Sequence, residues 1–524
     1  MRSRLLRATT MVLTSAVAVR SLGLLKNILA AAYFGTSGEM DAYLVALILP
    51  EMAMQVAHTG AFNFIPIFAA ERERSEEAAW RAANRMLAYW MLVLGAALLL
   101  VLLLGPSLTV ILSPGLSGAR RAQTLGLTRL LLPMAVAVGL ARLFTVVLHA
   151  NRHFAAAATS EGVFQVVSIG YLVAFHSLGI EALAGAQVCG GFAQLAVVAV
   201  GLLRHRRRVQ ATLDLRSAPV RRTLGLTFPV YLGALGEKIN VAVLRAFATL
   251  LPPGSVSALQ YAHSLAEALP LVVSGALTTS AFPFLSGEFA RRDNREFQVR
   301  LKRGMVALAL VFMPLSAGIW LLARVVVWTV FERGHFDAAS TDITVAALQI
   351  FAPGAFALAL NAVLGATFHA RSDTVTPTTA GFVRVGVNLA LCSALVPLLD
   401  YRGVALATTL ALYAKLAVLL FCLRRVLGAD NLRAALSAWL RALLAVAVMV
   451  GTMYPLLARA RHVHLPLWEA TLALSVLAGL GLLAYLGGVW LFCRAELREL
   501  VSSLRGARRS ASEPQPQPEL ELVR

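Results

Sequence analysis

Long apolar runs separated by short, arginine-rich segments repeat along the whole chain. Each run is close to the ~20 apolar residues that a helix needs to cross a bilayer. Because a chain in lipid must satisfy its own backbone hydrogen bonds, and no ~10-residue alternating segments are visible, we interpret the runs as helices. The runs lie at 10–34, 41–69, 83–105, 125–149, 155–178, 181–203, 223–250, 255–285, 303–330, 342–369, 376–399, 402–423, 435–457 and 467–493.

This pattern predicts an all-α polytopic membrane protein with about 14 transmembrane helices. Hydrophobic residues make up 58% of the 524 residues and charged residues only 14%, whereas soluble domains carry about 25% charged residues. The mean hydropathy is +0.73. These values exclude a soluble enzyme, a secreted disulfide scaffold and a disordered chain.

The basic residues predict the orientation of the helices. The formal net charge is +20, and the excess lies in short connections, as expected for cytoplasmic loops that face anionic lipid. Both termini are therefore predicted to be cytoplasmic, and no nucleic acid is expected as a partner. Arg20 interrupts the first run, which we interpret as a retained helix and not as a signal peptide. The basic segments are 2–7, 72–85, 204–222, 291–303, 424–433 and 494–509.

The sequence carries no enzyme motif. It contains no P-loop, H-E-x-x-H or nucleophile elbow, so we expect a transporter and not an enzyme, with no ATP-driven step and no cofactor. The cysteines lack CxxC or metal-ligand spacing and are interpreted as packing residues, and no metal site is predicted. They are Cys189, Cys392, Cys422 and Cys493.

Two cations inside the first apolar run are candidate substrate ligands. A charge at the bilayer centre costs about 2.5–3.5 kcal/mol on insertion scales, so it normally faces a cavity or a partner. Arg20 and Lys26 have no acidic neighbour at a helical offset and spread along one wall. Gly23, one turn after Arg20, allows a neighbouring helix or a head group to approach.

Other ionisable residues lie in the second, seventh and eighth runs. Asp41 opens the second run, where an alternative interpretation is a cap for its own helix. Glu237 and Arg245 lie in the seventh run, and Glu237 is expected to pair across helices. His263 and Glu267 are four residues apart and therefore share one face of the eighth helix.

Motifs along the chain resemble a known family. The two most specific are Phe331-Glu332-Arg333-Gly334-His335-Phe336 and Ala370-Arg371-Ser372-Asp373-Thr374-Val375-Thr376-Pro377. Others include Arg20-Ser21-Leu22-Gly23, Asp41-Ala42-Tyr43-Leu44 and Gly254-Ser255-Val256-Ser257. In order and spacing, over roughly residues 5–495, they resemble the MurJ/MviN lipid II flippases.

The resemblance implies a fold of the MOP exporter superfamily, with two six-helix lobes around a central cavity and two further C-terminal helices. It also implies alternating access that carries lipid II, an undecaprenyl-diphosphate-linked peptidoglycan precursor, from the cytoplasmic to the periplasmic leaflet of the bacterial inner membrane. Cell-wall synthesis proteins are candidate partners. The implied divisions are an N-lobe (1–204), a basic cytoplasmic linker (205–222), a C-lobe (223–426), two C-terminal helices (427–495) and a disordered cytoplasmic tail (496–524).

On this resemblance, Arg20 and Lys26 are predicted to bind the substrate diphosphate together, because cations provide counter-charge for phosphates. The remaining substrate-binding candidates are Gly23, Asp41, Arg245, Ser257 and Glu267.

Three positions depart from the family's substrate-binding pattern. Met54 occupies the position of a cavity arginine, Ser264 follows His263 where an Asp-Arg pair is typical, and Lys26 replaces an arginine. Two alternatives therefore stay open. One is a flippase for another polyprenyl-linked glycan, such as an O-antigen or capsule unit, and the other is a transport-inactive paralogue that serves as a cell-wall scaffold.

The coupling residues also depart from the family pattern. Leu244 occupies the position of an acidic residue linked to sodium, and Cys392 lies where a second polar ligand is expected. We therefore predict no tight sodium site in the second lobe. Glu267 and His263 are the candidates for proton coupling, with Glu267 as the preferred carrier. The alternative interpretation of Glu267 is a fixed counter-ion to the cations of the first helix.

Overall fold

The described part of the chain consists of helices and short connections, with no strand among the described residues. A computed structural model describes the backbone of residues 2–62, 65–151, 154–203, 218–268, 294–371, 373–460 and 467–498. The predicted linker therefore lies mostly outside the described residues, and the tail beyond 498 lies outside them entirely. The helices are α1 (Arg2–Phe34), α2 (Gly38–Ala46), α3 (Ile48–Phe62), α4 (Ile65–Arg74), α5 (Glu76–Leu112), α6 (Gly118–Ala150), α7 (Phe154–Phe175), α8 (Ile180–Leu203), α9 (Ala218–Ala248), α10 (255–268), α11 (Asn294–Phe331), α12 (Ala338–Phe351), α13 (Gly354–Ala370), α14 (Val375–Leu427), α15 (Ala429–Ala460) and α16 (Leu467–Phe492).

The predicted all-α membrane fold is confirmed. Within the described residues, nine helices are long and apolar enough to cross a membrane, or ten when the bent pair α12–α13 counts as one span. The 53-residue α14 contains a break at Asp400 (φ 51°, ψ −133°), which separates the predicted runs 376–399 and 402–423. The exact count of fourteen stays a prediction.

Two of the predicted runs are broken in the structure. The run 41–69 is broken at Leu47, between α2 and α3, and residues 63–64, between α3 and α4, lie outside the described residues. The run 342–369 consists of α12 and α13, which are bent by 46° relative to each other. Pro353 lies in this second break; proline lacks the backbone N–H that would continue the hydrogen-bond ladder.

The helices pack as two groups that meet along a shared core. In the first group, which we call the N-lobe (α1–α8), α7 packs on α8 and α1, and α6 packs on α3 and α8. In the second, the C-lobe (α9–α14), α14 packs on α9 and α13. Helices α15 and α16 pack on each other and on α11. One buried cluster contains Leu44 and Leu131 of the N-lobe together with Leu259 and Phe331 of the C-lobe.

Candidate substrate site between the lobes

The lobes are joined at one end of the helices, which we call the closed end; it comprises the connections 35–37, 113–117, 249–254 and 332–337. Gly35 and Gly334 lie against the opposite lobe with φ of +57° and +60°. A Cβ on Gly334 would lie 2.3 Å from the carbonyl oxygen of Ala32, and the His335 N–H donates to that oxygen at 2.9 Å. Only glycine accommodates this backbone conformation and approach without strain.

Side chains reinforce the closed end. The hydroxyls of Thr36 and Ser340 lie 2.6 Å apart across the lobe boundary. Asp337 caps α12 by accepting hydrogen bonds from the N–H and hydroxyl of Ser340 at 2.8 Å and 2.7 Å. Both hydrogen bonds hold the pKa of Asp337 below its usual value, and the bond from the backbone N–H of Ser340 has the larger effect. Above that pKa the carboxylate is ionised and holds Ser340 toward the N-lobe.

Asp41 caps a helix of the other lobe. Its carboxylate accepts hydrogen bonds from the backbone N–H groups of Gly254 (2.6 Å) and Ser257 (2.8 Å) at the start of α10. The alternative interpretation that Asp41 caps its own helix is wrong, because Ser37 caps α2. Asp41 and Ser257 are both buried and bonded to each other here; their predicted role toward substrate stays a prediction.

Arg245 is a second buried link between the lobes. Its guanidinium donates to the carbonyl oxygen of Leu44 at 2.6 Å and to Oε1 of Gln260 at 3.0 Å. Only 5% of the residue is exposed. In this conformation Arg245 therefore ties α9 to α2 and α10, and a substrate contact would require the lobes to separate.

Charged side chains from both lobes form a layer at some distance from the closed end. Each of them lies 8–13 residues from the helix terminus at the closed end, and this separation corresponds to about 12–20 Å at the rise of an α-helix. We call this set the polar layer. Its side chains are partly exposed, as expected of groups that face an aqueous cavity within the membrane. Its members are Lys26, Glu51, Lys238, His263 and Glu267.

Lys26 is held by the N-lobe. Its ammonium donates to Oε1 of Gln187 at 3.2 Å and lies 5.1 Å from the ring centroid of Phe164. The amide of Gln187 donates in turn to the hydroxyl of Tyr43 at 3.0 Å. Lys26 is thus positioned by polar and aromatic groups with no carboxylate among these contacts, although Glu51 acts on it electrostatically.

Arg20 lies six residues before Lys26 on α1 and is exposed, about 9 Å away along the helix axis. Gly23, between them, faces Gln165 of α7, where an added Cβ would lie 3.6 Å from the amide nitrogen. The structure places both cations on α1 but gives no contact that joins them, so their joint action on a diphosphate stays a prediction.

Glu51 and Lys238 form an ion pair across the lobes that sequence reasoning did not include in the site. The two side chains lie 2.8 Å apart and are 30% and 32% exposed. The only sequence signal is that each is a charge inside an apolar run. Because Glu51 and Lys238 are 187 residues apart in the sequence, no local pattern indicates that they pair.

His263 and Glu267 face each other on α10, as their spacing predicts. Nδ1 of His263 lies 3.5 Å from Oε2 of Glu267. The described contacts give Glu267 this partner and not Lys26, which bonds to Gln187. The proton-coupling role of the pair stays a prediction.

A second charge cluster lies inside the C-lobe. The carboxylate of Glu237 accepts from the ammonium of Lys415 at 2.6 Å and from the guanidinium of Arg384, which confirms that Glu237 pairs across helices. It thereby joins α9 to both arms of α14. One turn further along α9, the amide of Asn388 donates to Asn240 at 3.2 Å.

Apart from Lys26 and His263, the positions that depart from the family pattern supply no charge to the polar layer. Met54 is buried in the shared core. The hydroxyl of Ser264 donates to the carbonyl oxygen of Tyr261 at 2.8 Å. Leu244 is also buried, and the thiol of Cys392 lies 3.6 Å from the amide oxygen of Asn388. The predicted lack of a tight sodium site remains a prediction.

Two packed groups of membrane-spanning helices, with partly exposed charges at mid-depth, define a polytopic membrane transporter. Solved structures show the same fold: a lipid II flippase MurJ in an inward closed conformation has a TM-score of 0.76 at 20% identity, covering 92% of this chain and 99% of its own. An inward-facing multidrug resistance MATE family transporter of the MOP superfamily has a TM-score of 0.65 at 16% identity, covering 79% and 96%.

Sequence comparison identifies the family. The profile described as lipid II flippase MurJ matches residues 30–471. A probable lipid II flippase MurJ of Rhizobium tropici is 28% identical over 405 residues, 75% of this chain and 76% of the relative. The lipid II flippase MurJ of Burkholderia cenocepacia is 27% identical over 408 residues, 74% and 78% of the two chains. The chain belongs to the lipid II flippase MurJ family.

Proposed function

We propose that this protein is a lipid II flippase that moves the undecaprenyl-diphosphate-linked precursor across the bacterial inner membrane. Membership of the MurJ family over residues 30–471 supports this function. The observation that carries the mechanism is the distribution of contacts between the lobes. Among the described residues, the hydrogen bonds that join the lobes lie at the closed end, in the helical turns next to it (at Asp41 and Arg245) or in the polar layer.

The closed end is the periplasmic end in this proposal, with both termini in the cytoplasm. Its connections carry few basic residues, whereas the opposite connections carry most of them, in the distribution typical of cytoplasmic loops. The conformation is then closed toward the periplasm, and substrate enters from the cytoplasmic side. Each link at the closed end is a hydrogen bond or a helix cap worth about 1 kcal/mol net, so a moderate binding energy separates the lobes.

The polar layer receives the head group. A diphosphate and a sugar-peptide head group cannot cross hydrocarbon unaided, and Lys26 with Arg20 supplies counter-charge for the phosphates. Because Lys26 is held by Gln187 and Phe164 of its own lobe, it moves with the N-lobe when the closed end opens. The polyprenyl tail stays in lipid beside the lobes.

A flippase for another polyprenyl-linked glycan is the second candidate. It is favoured by one observation: Met54 and Ser264, where the family carries charged residues, are bonded or packed within the protein and provide no cation. A diphosphate common to both substrates would still bind Lys26, and recognition of the sugar-peptide part would differ.

Complementation separates the candidates. We expect this chain to restore growth of a strain depleted of its own lipid II flippase, and the Arg20→Ala/Lys26→Ala variant to fail at equal membrane abundance. Absence of rescue by the unaltered chain at normal abundance would contradict lipid II transport and favour the other glycan. Full rescue by the double variant would show that Arg20 and Lys26 are not required for transport.

A further inference from the structure

Glu51 lies among basic side chains from both lobes. It belongs to the first turn of α3 in the N-lobe, and its carboxylate accepts a hydrogen bond from the ammonium of Lys238 in the C-lobe at 2.8 Å. It also interacts electrostatically with three further cations, Arg245 of α9, Arg142 of α6 and Lys26 of α1. One carboxylate therefore acts on four basic side chains from three other helices.

The carboxylate of Glu51 is open to the cavity, unlike that of Asp41. The side chain of Glu51 is 30% exposed, whereas Asp41 is 4% exposed and caps α10. A buried cap is committed to its own backbone partners. A partly exposed carboxylate acts through space on an anion that enters the cavity, because charges near a protein surface are screened less than in bulk water.

The described side chains of α3 bring a negative charge to the polar layer and no positive one. Among the side chains of residues 48–55, Glu51 is the only charged group, and Met54, one turn further along the helix, is buried in the shared core. The first turn of a helix also favours an anion, because the helix dipole places partial positive charge there. These features, with the bond to Lys238, place a carboxylate beside the cations of the polar layer.

We propose that Glu51 is an internal counter-ion that offsets the cations of the polar layer in the empty cavity and weakens their hold on the substrate diphosphate. This role rests on the proposed transport of a polyprenyl diphosphate. Unpartnered cations within a membrane are costly, and Glu51 partners them between transport cycles. When the substrate enters, the same carboxylate repels its phosphates, so the diphosphate dissociates fast enough to be released. Lys238 is a positioning residue, because it holds the Glu51 carboxylate between the lobes.

Binding of undecaprenyl diphosphate by the full chain purified in detergent tests this role, with undecaprenol as the uncharged comparison. Glu51→Gln nearly keeps the size of the side chain but removes the charge, so it should bind undecaprenyl diphosphate about tenfold more tightly. Most of the gain should be a slower dissociation rate. Glu51→Asp retains the charge and should stay within about threefold of the unaltered chain. None of the variants should change the binding of undecaprenol.

Thermal unfolding separates this role from a purely structural one. Without ligand, Glu51→Gln should melt at a lower temperature than the unaltered chain, because Lys238 loses its anion. Undecaprenyl diphosphate should then raise the melting temperature of Glu51→Gln by more than that of the unaltered chain, because it binds the variant more tightly. Glu51→Ser is a second neutral variant with the same expected result. Glu296→Gln, the matched control, removes a carboxylate from an exposed pair with Arg300 outside the polar layer and should leave the diphosphate affinity unchanged.

Four results would overturn the counter-ion role. If both neutral variants bind undecaprenyl diphosphate no more tightly than the unaltered chain does, the role is wrong while the proposed flippase function stands. Equal tightening by Glu51→Asp would assign the effect to side-chain length, and equal tightening by Glu296→Gln would assign it to the overall charge of the protein. No binding of undecaprenyl diphosphate by the unaltered chain would contradict the diphosphate site of the proposed function, and the counter-ion role with it.

Discussion

Lys26 illustrates how one residue is prepared for an anion. Its ammonium is held by the amide of Gln187 and the ring of Phe164. Both partners are neutral, and Glu51, which acts on Lys26 electrostatically, is itself paired with Lys238 at 2.8 Å. A cation without a carboxylate contact, partly buried within the membrane, is costly unless it serves a ligand. Lys26 is therefore the residue on which we place the strongest functional expectation.

The first prediction concerns whether the positive charge of Lys26, or the detailed shape of its side chain, is needed for transport. Lys26→Ala removes the counter-charge for the diphosphate, so transport should fall by at least about tenfold, while Lys26→Arg should retain more activity because the charge stays. Transfer of labelled lipid II in vesicles, at equal protein content, measures both variants. Lys238→Ala is a control that removes a paired cation of the same layer. Normal transfer by Lys26→Ala would refute the role.

The second prediction concerns stability. Glu237→Gln leaves Arg384 and Lys415 without their anion between α9 and α14, so the free energy of unfolding should fall by about 1–3 kcal/mol. The control Glu296→Gln breaks an exposed pair with Arg300, which is worth about 0–1 kcal/mol. Thermal unfolding in detergent compares the two variants. Equal melting temperatures for both would contradict a structural role for the cluster.

Single residues also show the limit of sequence reasoning. Asp41, Lys26 and Glu267 could be selected because each is an ionisable group in or beside an apolar run. Their partners could not be identified, since Asp41 bonds to residues 213 and 216 positions away, and no local periodicity encodes such a distance. Gln187 and Gln260 were missed because neutral amides give no charge signal.

At the scale of elements, hydrophobic run length predicts where helices lie but not where they break. The runs 376–399 and 402–423 correspond to the two arms of α14, separated at Asp400. The break at Leu47 within the run 41–69 was not predicted, because apolar composition continues through it.

The third prediction belongs to the closed end. In Gly334→Ala the added Cβ would lie 2.3 Å from the Ala32 carbonyl oxygen, at a φ of +60°, so the closed conformation should be destabilised. Because alternating access needs this conformation, lipid II transfer should fall about tenfold or more. Gly304→Ala, on α11 with open space around the added Cβ, is the matched control. Equal transfer by both variants would show that closure at Gly334 is not required.

At the scale of the whole molecule, the charge distribution predicts the orientation. In a background without native cysteines, Pro253→Cys at the closed end should react with an impermeant thiol reagent added to intact cells. Arg295→Cys, in the basic connection of the C-lobe, should react only after permeabilisation. Both positions are exposed, so accessibility within the fold does not bias the comparison. Strong labelling of position 295 from outside would reverse the topology.

The central claim, that lipid II crosses by separation of the lobes at the closed end, is tested most directly by a reversible cross-link. Thr36 and Ser340 have hydroxyls 2.6 Å apart across the boundary, so Thr36→Cys/Ser340→Cys should form a disulfide in the closed conformation. Each single cysteine variant serves as a control. Labelled lipid II transfer is then measured in vesicles before and after reduction. The account predicts no transfer by the oxidised double variant and recovery on reduction. Full lipid II transfer by the cross-linked protein would contradict the account. So would a reduced double variant that transfers no lipid II while both single cysteine variants are active.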